Sequence, residues 1–262
     1  MIIATAQSQI ENNLVNNTNE IIRLIQLASE KGANFVHFPE GALSGYAKEQ
    51  ISNWSLVDWH QLENQLKSIQ KICKNLNIWV ALGSNHMFLS EKRPYNSIYI
   101  INNTGNIVAR YDKRFCSNSE INHWYNAGSQ AVTVKIHGIT FGFLLCIEIN
   151  FPELFMEYEK MGVDCILISS YSKSKMFAIQ AQGHAACNNI WISFSTPQNV
   201  SNIQESLFIG PDGSIISKCK NKESDLIINQ INPSSSLWDI PCKKARPWRT
   251  KARLKNIYKV KS

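Results

Sequence analysis

FGFLLCIEINFPELF, residues 141–155, is the stretch on which the fold turns. Phe141 to Leu145 are almost wholly apolar, the composition of a strand buried on both faces. Pro152 stands where a helix can open, because its fixed φ suits the first helical position and it has no N–H to leave unpaired. Strand followed by helix is the opening of a β–α–β unit. Between them lies one thiol, Cys146, with Glu148 and Glu153 close behind. Two roles fit Cys146 at this point. It is a small core residue, or it is a nucleophile held at the carboxyl end of a strand.

The same alternation extends in both directions. IIATAQ (2–7) reads as a short buried strand. NTNEIIRLIQLASEKG (17–32) reads as a helix, with Asn17 as N-cap, Glu20 three residues on and Gly32 at its end. NFVHF (34–38) is a strand stopped by Pro39. A second helix covers Leu56 to Leu76, and IWVALG (78–83) is the next strand. Asn103-Thr104-Gly105 and His137-Gly138 centre hairpins over 95–111 and 131–146. After the helix from Pro152 come a strand (165–169), a helix near 176–188 and a strand (190–194). Pro211-Asp212-Gly213 centres a third hairpin, and LIINQI (226–231) is the last strand. This order predicts an α/β fold with mixed sheets and helices on the outer faces. Nothing before residue 232 reads as a linker, so a single domain is expected.

Composition narrows the class. The chain has 262 residues, 44% hydrophobic and 18% charged, values of a globular enzyme-sized domain. No apolar run is long enough to span a membrane, and the N-terminus lacks the basic region of a secretory signal. The seven cysteines form no CxxC and no His/Cys cluster at zinc spacing. Free thiols in a reducing cytoplasm are the simplest account. Net charge is +7, concentrated at the end: no acidic residue follows Asp239, while KKARPWRTKARLKNIYKVKS carries nine Lys and Arg. Such a tail can contact nucleic acid or an anionic membrane. No recognised nucleic-acid motif accompanies it, and a solvated or subunit-packing tail is the expectation.

Three strand ends share a feature. A reactive side chain follows within two residues: Glu40 after FVHFP, Lys113 after IVARYD, and Cys146 after GFLL. Ligands of α/β sheets gather beyond the carboxyl ends of strands. A cysteine nucleophile needs a base, and a partly buried glutamate serves when desolvation raises its pKa. A lysine can stabilise an oxyanion, with the Ile147 backbone N–H as a second donor. Taken singly, each of these residues is commonplace.

Their order and surroundings are more specific. FPEGALSGY (38–46), YDKRFCSNSEINHWYNAG (111–128) and GFLLCIEINFPELF (142–155) resemble the base, lysine and nucleophile segments of the nitrilase or carbon-nitrogen hydrolase superfamily. ATAQ, HAACNNIWIS (184–193) and GPDGSIISK (210–218) extend the resemblance over about residues 1–230. The resemblance implies a four-layer α-β-β-α sandwich over 1–231, followed by a basic extension over 232–262. It implies a Glu-Lys-Cys triad: Glu40 the general base, Lys113 the oxyanion stabiliser, Cys146 the nucleophile, with Glu120 positioning Lys113. The reaction implied is hydrolysis of a non-peptide C–N bond in a small amide or N-carbamoyl compound, through a cysteine acyl thioester. No metal or organic cofactor is required. Pairing into at least a homodimer, through helices near 152–161 and 176–188, is expected.

The sequence departs from that pattern in places. Many amidase-type members carry an aspartate two residues past the nucleophile and an arginine before FPE; here these are Glu148 and Asn150. The usual Arg-Ala-x-Glu-Asn is His184-Ala185-Ala186-Cys187-Asn188, which bears on the substrate class. His184 is expected to be a packed helix residue, and Cys116 is a candidate for lining the cleft. Tyr46, His123, Trp124, Ser170 and Tyr171 lie on loops that would rim the site and contact substrate. A nitrile-hydrolysing enzyme and a catalytically silent binding member are the alternatives to an amidase.

Overall fold

The computed structural model describes residues 1–254. Strands β1 (Ile2–Gln7), β2 (Phe35–His37), β3 (Trp79–His86), β4 (Tyr95–Ile101) and β5 (Ile107–Asp112) build most of one sheet. Strands β6 (Thr133–Ile136), β7 (Ile139–Leu145), β8 (Cys165–Ser169), β9 (Trp191–Ser195), β10 (Leu207–Ile209) and β11 (Ile215–Lys218) build a second. The last strand, β12 (Asp225–Gln230), returns to the first sheet and pairs antiparallel with β1, Ile2 opposite Gln230. The orders are β12-β1-β2-β3-β4-β5 and β11-β10-β9-β8-β7-β6, six strands each. The core of each sheet is parallel: β1 with β2, β2 with β3, β7 with β8 and β8 with β9.

Strand alternation produces the layers. Ile3 and Phe35 face the second sheet, where Phe35 meets the Phe141 ring edge-on at 5.0 Å. Their neighbours Ala4 and Val36 face outward, against Ile21, Leu24 and Ile25 of α1 (Leu14–Glu30) and Leu66 and Ile69 of α2 (Trp59–Asn75). Beyond the second sheet, α3 (Pro152–Lys160) buries Phe155 and Tyr158, and α4 (Met176–Asn188) buries Phe177 and Ala181. The four-layer α-β-β-α sandwich predicted from sequence is the fold observed, as one domain.

The space between the sheets is not wholly apolar. His37, the last residue of β2, is fully buried between two hydroxyls of the opposite sheet. Its Nδ1 lies 2.8 Å from Ser193 Oγ and its Nε2 2.9 Å from Ser169 Oγ. Thr5 reaches the same Ser193 hydroxyl at 2.7 Å, and Ser169 Oγ lies 2.9 Å from the Phe38 carbonyl as well. Burial pulls the His37 pKa down to about 3, so the ring is neutral at ordinary pH. This seam fixes β2 against β8 and β9 immediately below the strand ends that matter.

Two helix starts differ from the sequence expectation. α1 begins at Leu14, capped by Asn13, whose side chain accepts the Val15 and Asn16 N–H groups at 3.0 and 3.1 Å. Asn17 is an interior, buried residue whose amide ties the helix to Glu11 and Leu43. The segment holds several asparagines, and the one preceding the apolar face by a full turn wins the cap. α2 begins at Trp59, with Asp58 accepting the Gln61 N–H at 2.8 Å, while Trp54–Leu56 form a separate 3-10 turn.

The described part of the basic tail folds back on its own chain. In α5 (Arg246–Leu254), Arg246 donates to the Val163 carbonyl at 2.6 Å, Arg249 to Asn189 at 2.8 Å, and Arg253 pairs with buried Glu159 at 2.6 Å. These arginines therefore meet internal partners. The rest of the expected basic tail, 255–262, lies outside the described residues. No described helix is long and apolar enough to cross a membrane.

Candidate active site

Glu40 stands three residues past the end of β2. Its backbone is pressed against β3, where Gly83 leaves no room for a side chain. A Cβ there would lie 2.1 Å from the Pro39 carbonyl oxygen and 3.0 Å from the Glu40 Cα. Lys113 follows β5, its N–H held by the Asn96 carbonyl of β4 at 2.8 Å. Lys113 Nζ donates to Glu40 Oε1 at 3.0 Å and to Glu120 Oε1 at 2.8 Å. The three side chains are at most 1% exposed. Glu120 opens a short wide turn to Trp124; the Ser117 N–H holds its Oε2 at 2.7 Å and the Tyr46 hydroxyl its Oε1 at 3.0 Å.

Cys146 ends β7 from the other sheet. Its φ of +49° lies in the left-handed region, uncommon for a residue with a Cβ and costing about 1–2 kcal/mol. That turn takes the chain out of the strand into a 3-10 turn over Cys146–Asn150 and then into α3, with Pro152 at its first position. Glu148 secures the turn. Its buried carboxylate accepts the Leu145 N–H at 2.7 Å, the Tyr111 hydroxyl at 2.7 and 2.8 Å, and the Arg114 and Phe115 N–H groups at 2.8 and 3.1 Å. One carboxylate thus binds the cysteine turn to the segment that carries Lys113.

Electrostatics distinguish the groups. Burial pulls the Lys113 pKa down, but Glu40 and Glu120 together more than offset this and hold it well above its ordinary value. The ammonium stays charged. Burial raises the Glu40 pKa, with Lys113 opposing. Glu120 is also raised by burial, yet Lys113, the Ser117 N–H and the Tyr46 hydroxyl bring it below the usual range. Burial, then the Glu40 charge, pushes the Cys146 thiol up to about 12; Lys113, the Ser170 hydroxyl and the Tyr171 N–H pull against that. The resting thiol therefore keeps its proton beside a carboxylate whose proton affinity burial has increased.

The structure brings Glu40, Lys113 and Glu120 into direct contact, with Cys146 beside them. Ser170 and Tyr171, just past β8, belong to the same cluster: the Tyr171 N–H donates to Glu40 Oε2 at 3.0 Å. Tyr46 and Tyr171 stack at 5.1 Å, and Gln50 bridges them, accepting the Tyr46 N–H at 3.1 Å and donating to the Tyr171 hydroxyl at 2.8 Å. Ile147 is half-buried at the first turn after the cysteine. Trp124 is half-buried; it meets Trp54 edge-on at 5.6 Å, and its carbonyl accepts that indole N–H at 2.9 Å. His123 is exposed. Cys116 is half-buried, its sulfur 3.9 Å from the Lys113 carbonyl. His184 packs on the Phe155 ring at 3.7 Å and bonds the Ile149 carbonyl.

Two residues in this cluster were not singled out as site residues from sequence. Asn96 donates to Glu40 Oε1 at 2.7 Å; its only signal was an amide inside the apolar strand YNSIYII. Glu148 stood out only as a departure from aspartate, and apart from the Leu145 N–H its donors come from Tyr111, Arg114 and Phe115, more than 30 residues away.

The sequence matches the carbon-nitrogen hydrolase family over residues 2–237. It is 22% identical to a nitrilase homolog 2 of Dictyostelium discoideum, over 86% of this chain and 74% of that protein. It is 25% identical to the 2-oxoglutaramate amidase of Bacillus subtilis, over 74% and 76%, and 23% identical to a deaminated glutathione amidase of Synechocystis, over 88% and 92%. In fold it is similar to the amidase from Nesterenkonia sp. AN1, in a structure carrying the product of Michael addition of acrylamide at that enzyme's active-site cysteine. The TM-score is 0.80 at 17% identity, covering 97% of this chain and 99% of that one. A match that runs from the first strand past the last, over residues 2–237, places this chain in the carbon-nitrogen hydrolase family.

Proposed function

We propose that the protein is a thiol amidase that cleaves a non-peptide C–N bond of a small amide or N-carbamoyl compound. The observation that carries this is the buried cluster itself: Lys113 between Glu40 and Glu120, facing a cysteine that is strained at its backbone and protonated at rest. Glu40 takes the thiol proton as sulfur attacks the carbonyl carbon. The oxyanion forms beside the Lys113 ammonium and the Ile147 N–H, which lies in a first helical turn where such groups have no partner within the helix. Collapse breaks the C–N bond, and Glu40 returns its proton to the departing ammonia or amine. Water then attacks the acyl thioester, giving its proton to Glu40, and the thiol is restored. Glu120 holds Lys113 in place. Tyr46 and Tyr171 are positioned to wall the acyl group.

The test is ammonia release from a panel of short amides, ω-amides, N-carbamoyl amino acids and nitriles, with Cys146→Ala as the blank. The names of the relatives put 2-oxoglutaramate and deaminated glutathione first. Intact mass of quenched reactions reads an acyl adduct on Cys146. Release by the native protein alone, with that adduct, supports the reading; silence across the panel with no adduct overturns it.

The protein also pairs with a second copy through α3 and α4. Met156, Met176 and Ile179 are exposed there at 39%, 59% and 68%, beside a shallow apolar groove formed by Pro152, Gly183 and Cys187. A monomeric mass by light scattering would remove this expectation. All seven cysteines are unpaired, which supports a cytoplasmic setting.

A further inference from the structure

Each carboxylate oxygen can accept about two hydrogen bonds. Glu40 Oε1 receives two, from Lys113 Nζ at 3.0 Å and Asn96 Nδ2 at 2.7 Å. Glu40 Oε2 receives one, from the Tyr171 N–H at 3.0 Å. The acceptor direction left over is on Oε2, and the same Tyr171 N–H lies beside the Cys146 sulfur. We propose that Asn96 is a positioning residue which, with Lys113, closes Oε1 of Glu40 to protons, so that Oε2 is the atom that receives the thiol proton. The inference rests on the reading of Glu40 as the base.

The amide is held for this task and for no other visible one. Asn96 is 1% exposed, and its Oδ1 has no hydrogen-bond partner among the described residues. A flipped amide would set Oδ1 against Glu40 Oε1 at 2.7 Å, two acceptors face to face. The carboxylate therefore fixes the orientation. A buried acceptor without a partner is unfavourable, and a strand whose neighbours are Ile98, Ile100 and Ile101 has no packing need for an amide. The Asn96 backbone adds a second tie, since its carbonyl receives the Lys113 N–H. One residue thus sets both the base and the start of the lysine segment.

Loss of the amide donor has two effects. Oε1 opens, so the carboxylate can accept a proton on the face away from sulfur. The ionised form of Glu40 also loses a charge-assisted hydrogen bond, so its pKa rises. In Asn96→Asp the replacement has the same shape but sets a second carboxylate against Glu40, and the two would share one proton.

The experiment follows Cys146 alkylation by iodoacetamide, itself a small amide, as a function of pH, with the modified cysteine located by mass. It is paired with kcat/KM on the best amide of the panel. In Asn96→Ala the acidic midpoint of both profiles should move up by about one unit or more, with a plateau rate about tenfold lower. In Asn96→Asp the midpoint should move further. A folded Asn96→Asp protein whose acidic midpoint stays at the native position overturns the inference, whatever its rate. If Asn96→Ala fails to fold, the isosteric Asp variant still decides. If the native protein turns over no amide, the amidase reading fails while the alkylation profile still tests Asn96. If amides are hydrolysed and the midpoint does not move, only the inference about Asn96 fails.

Discussion

Replacing Glu148 with leucine should unfold the link between the two halves of the site while leaving its volume filled. The carboxylate accepts three backbone N–H groups and one hydroxyl. The Leu145 N–H and the Tyr111 hydroxyl are fully buried, so each loses its acceptor with no water to replace it. The Arg114 and Phe115 N–H groups are only partly buried, and solvent recovers most of theirs. With about 1–3 kcal/mol for each buried group left unpaired, and some offset because burial already disfavours the Glu148 charge, the expected loss is about 3–4 kcal/mol. That is a large share of the 5–15 kcal/mol typical of a domain. Glu148→Gln keeps one acceptor oxygen and should lose about half as much. Urea denaturation at neutral pH reads both values, and the proposed amidase activity should fall in step as the Lys113 segment parts from the Cys146 turn. A leucine variant within 1 kcal/mol of the native protein, with full activity, would refute the role assigned to Glu148.

Two further outcomes follow from the geometry. Gly83→Ala must displace the Pro39 carbonyl by about an ångström, carrying Glu40 with it. We expect kcat/KM to drop about a hundredfold with the chain still folded, and a variant within threefold of native would show that the strand ends yield. The His37 pKa is depressed in the folded state to about 3, below the unfolded value near 6.5. The folded form therefore loses stability as pH falls below 6.5, by about 1.4 kcal/mol per pH unit for this one proton. Urea midpoints from pH 7 to 4 should fall more steeply for the native protein than for His37→Gln, and parallel slopes would exclude the assignment.

Much of this was readable in the sequence because the chemistry sits where the periodicity breaks. Glu40, Lys113 and Cys146 each follow an apolar strand, so strand ends located them. The roles proposed for them rest on the resemblance of their surroundings. The alternation of apolar strands and helices gave an α/β fold with helices outside, and the four-layer arrangement came from the resemblance. What escaped depends on contacts between segments distant in sequence. Asn96 lies 56 residues from the carboxylate it touches, and His37 joins hydroxyls more than 130 residues away. The helix starts at Leu14 and Trp59 depend on which of several polar residues caps, a competition that spacing alone leaves open. Trp124 was placed at the rim by its position in a loop, and its edge contact with Trp54, 70 residues away, could not be read from spacing. In the described part of the basic tail, Arg246, Arg249 and Arg253 meet partners on their own chain, contacts that spacing in the sequence does not show.

The pairing of β1 with β12 has a consequence for the order in which the protein is made. Glu40 and Lys113 leave the ribosome early, in a sheet that lacks an edge until residues 225–230 arrive. Cys146 belongs to the other sheet, and the Tyr171 N–H reaches Glu40 only when the two sheets stack. A nascent chain therefore carries Glu40 and Cys146 apart. A chain that stops before residue 171 never forms the tie from Tyr171 to Glu40, and one that stops before residue 225 leaves β1 without its antiparallel neighbour.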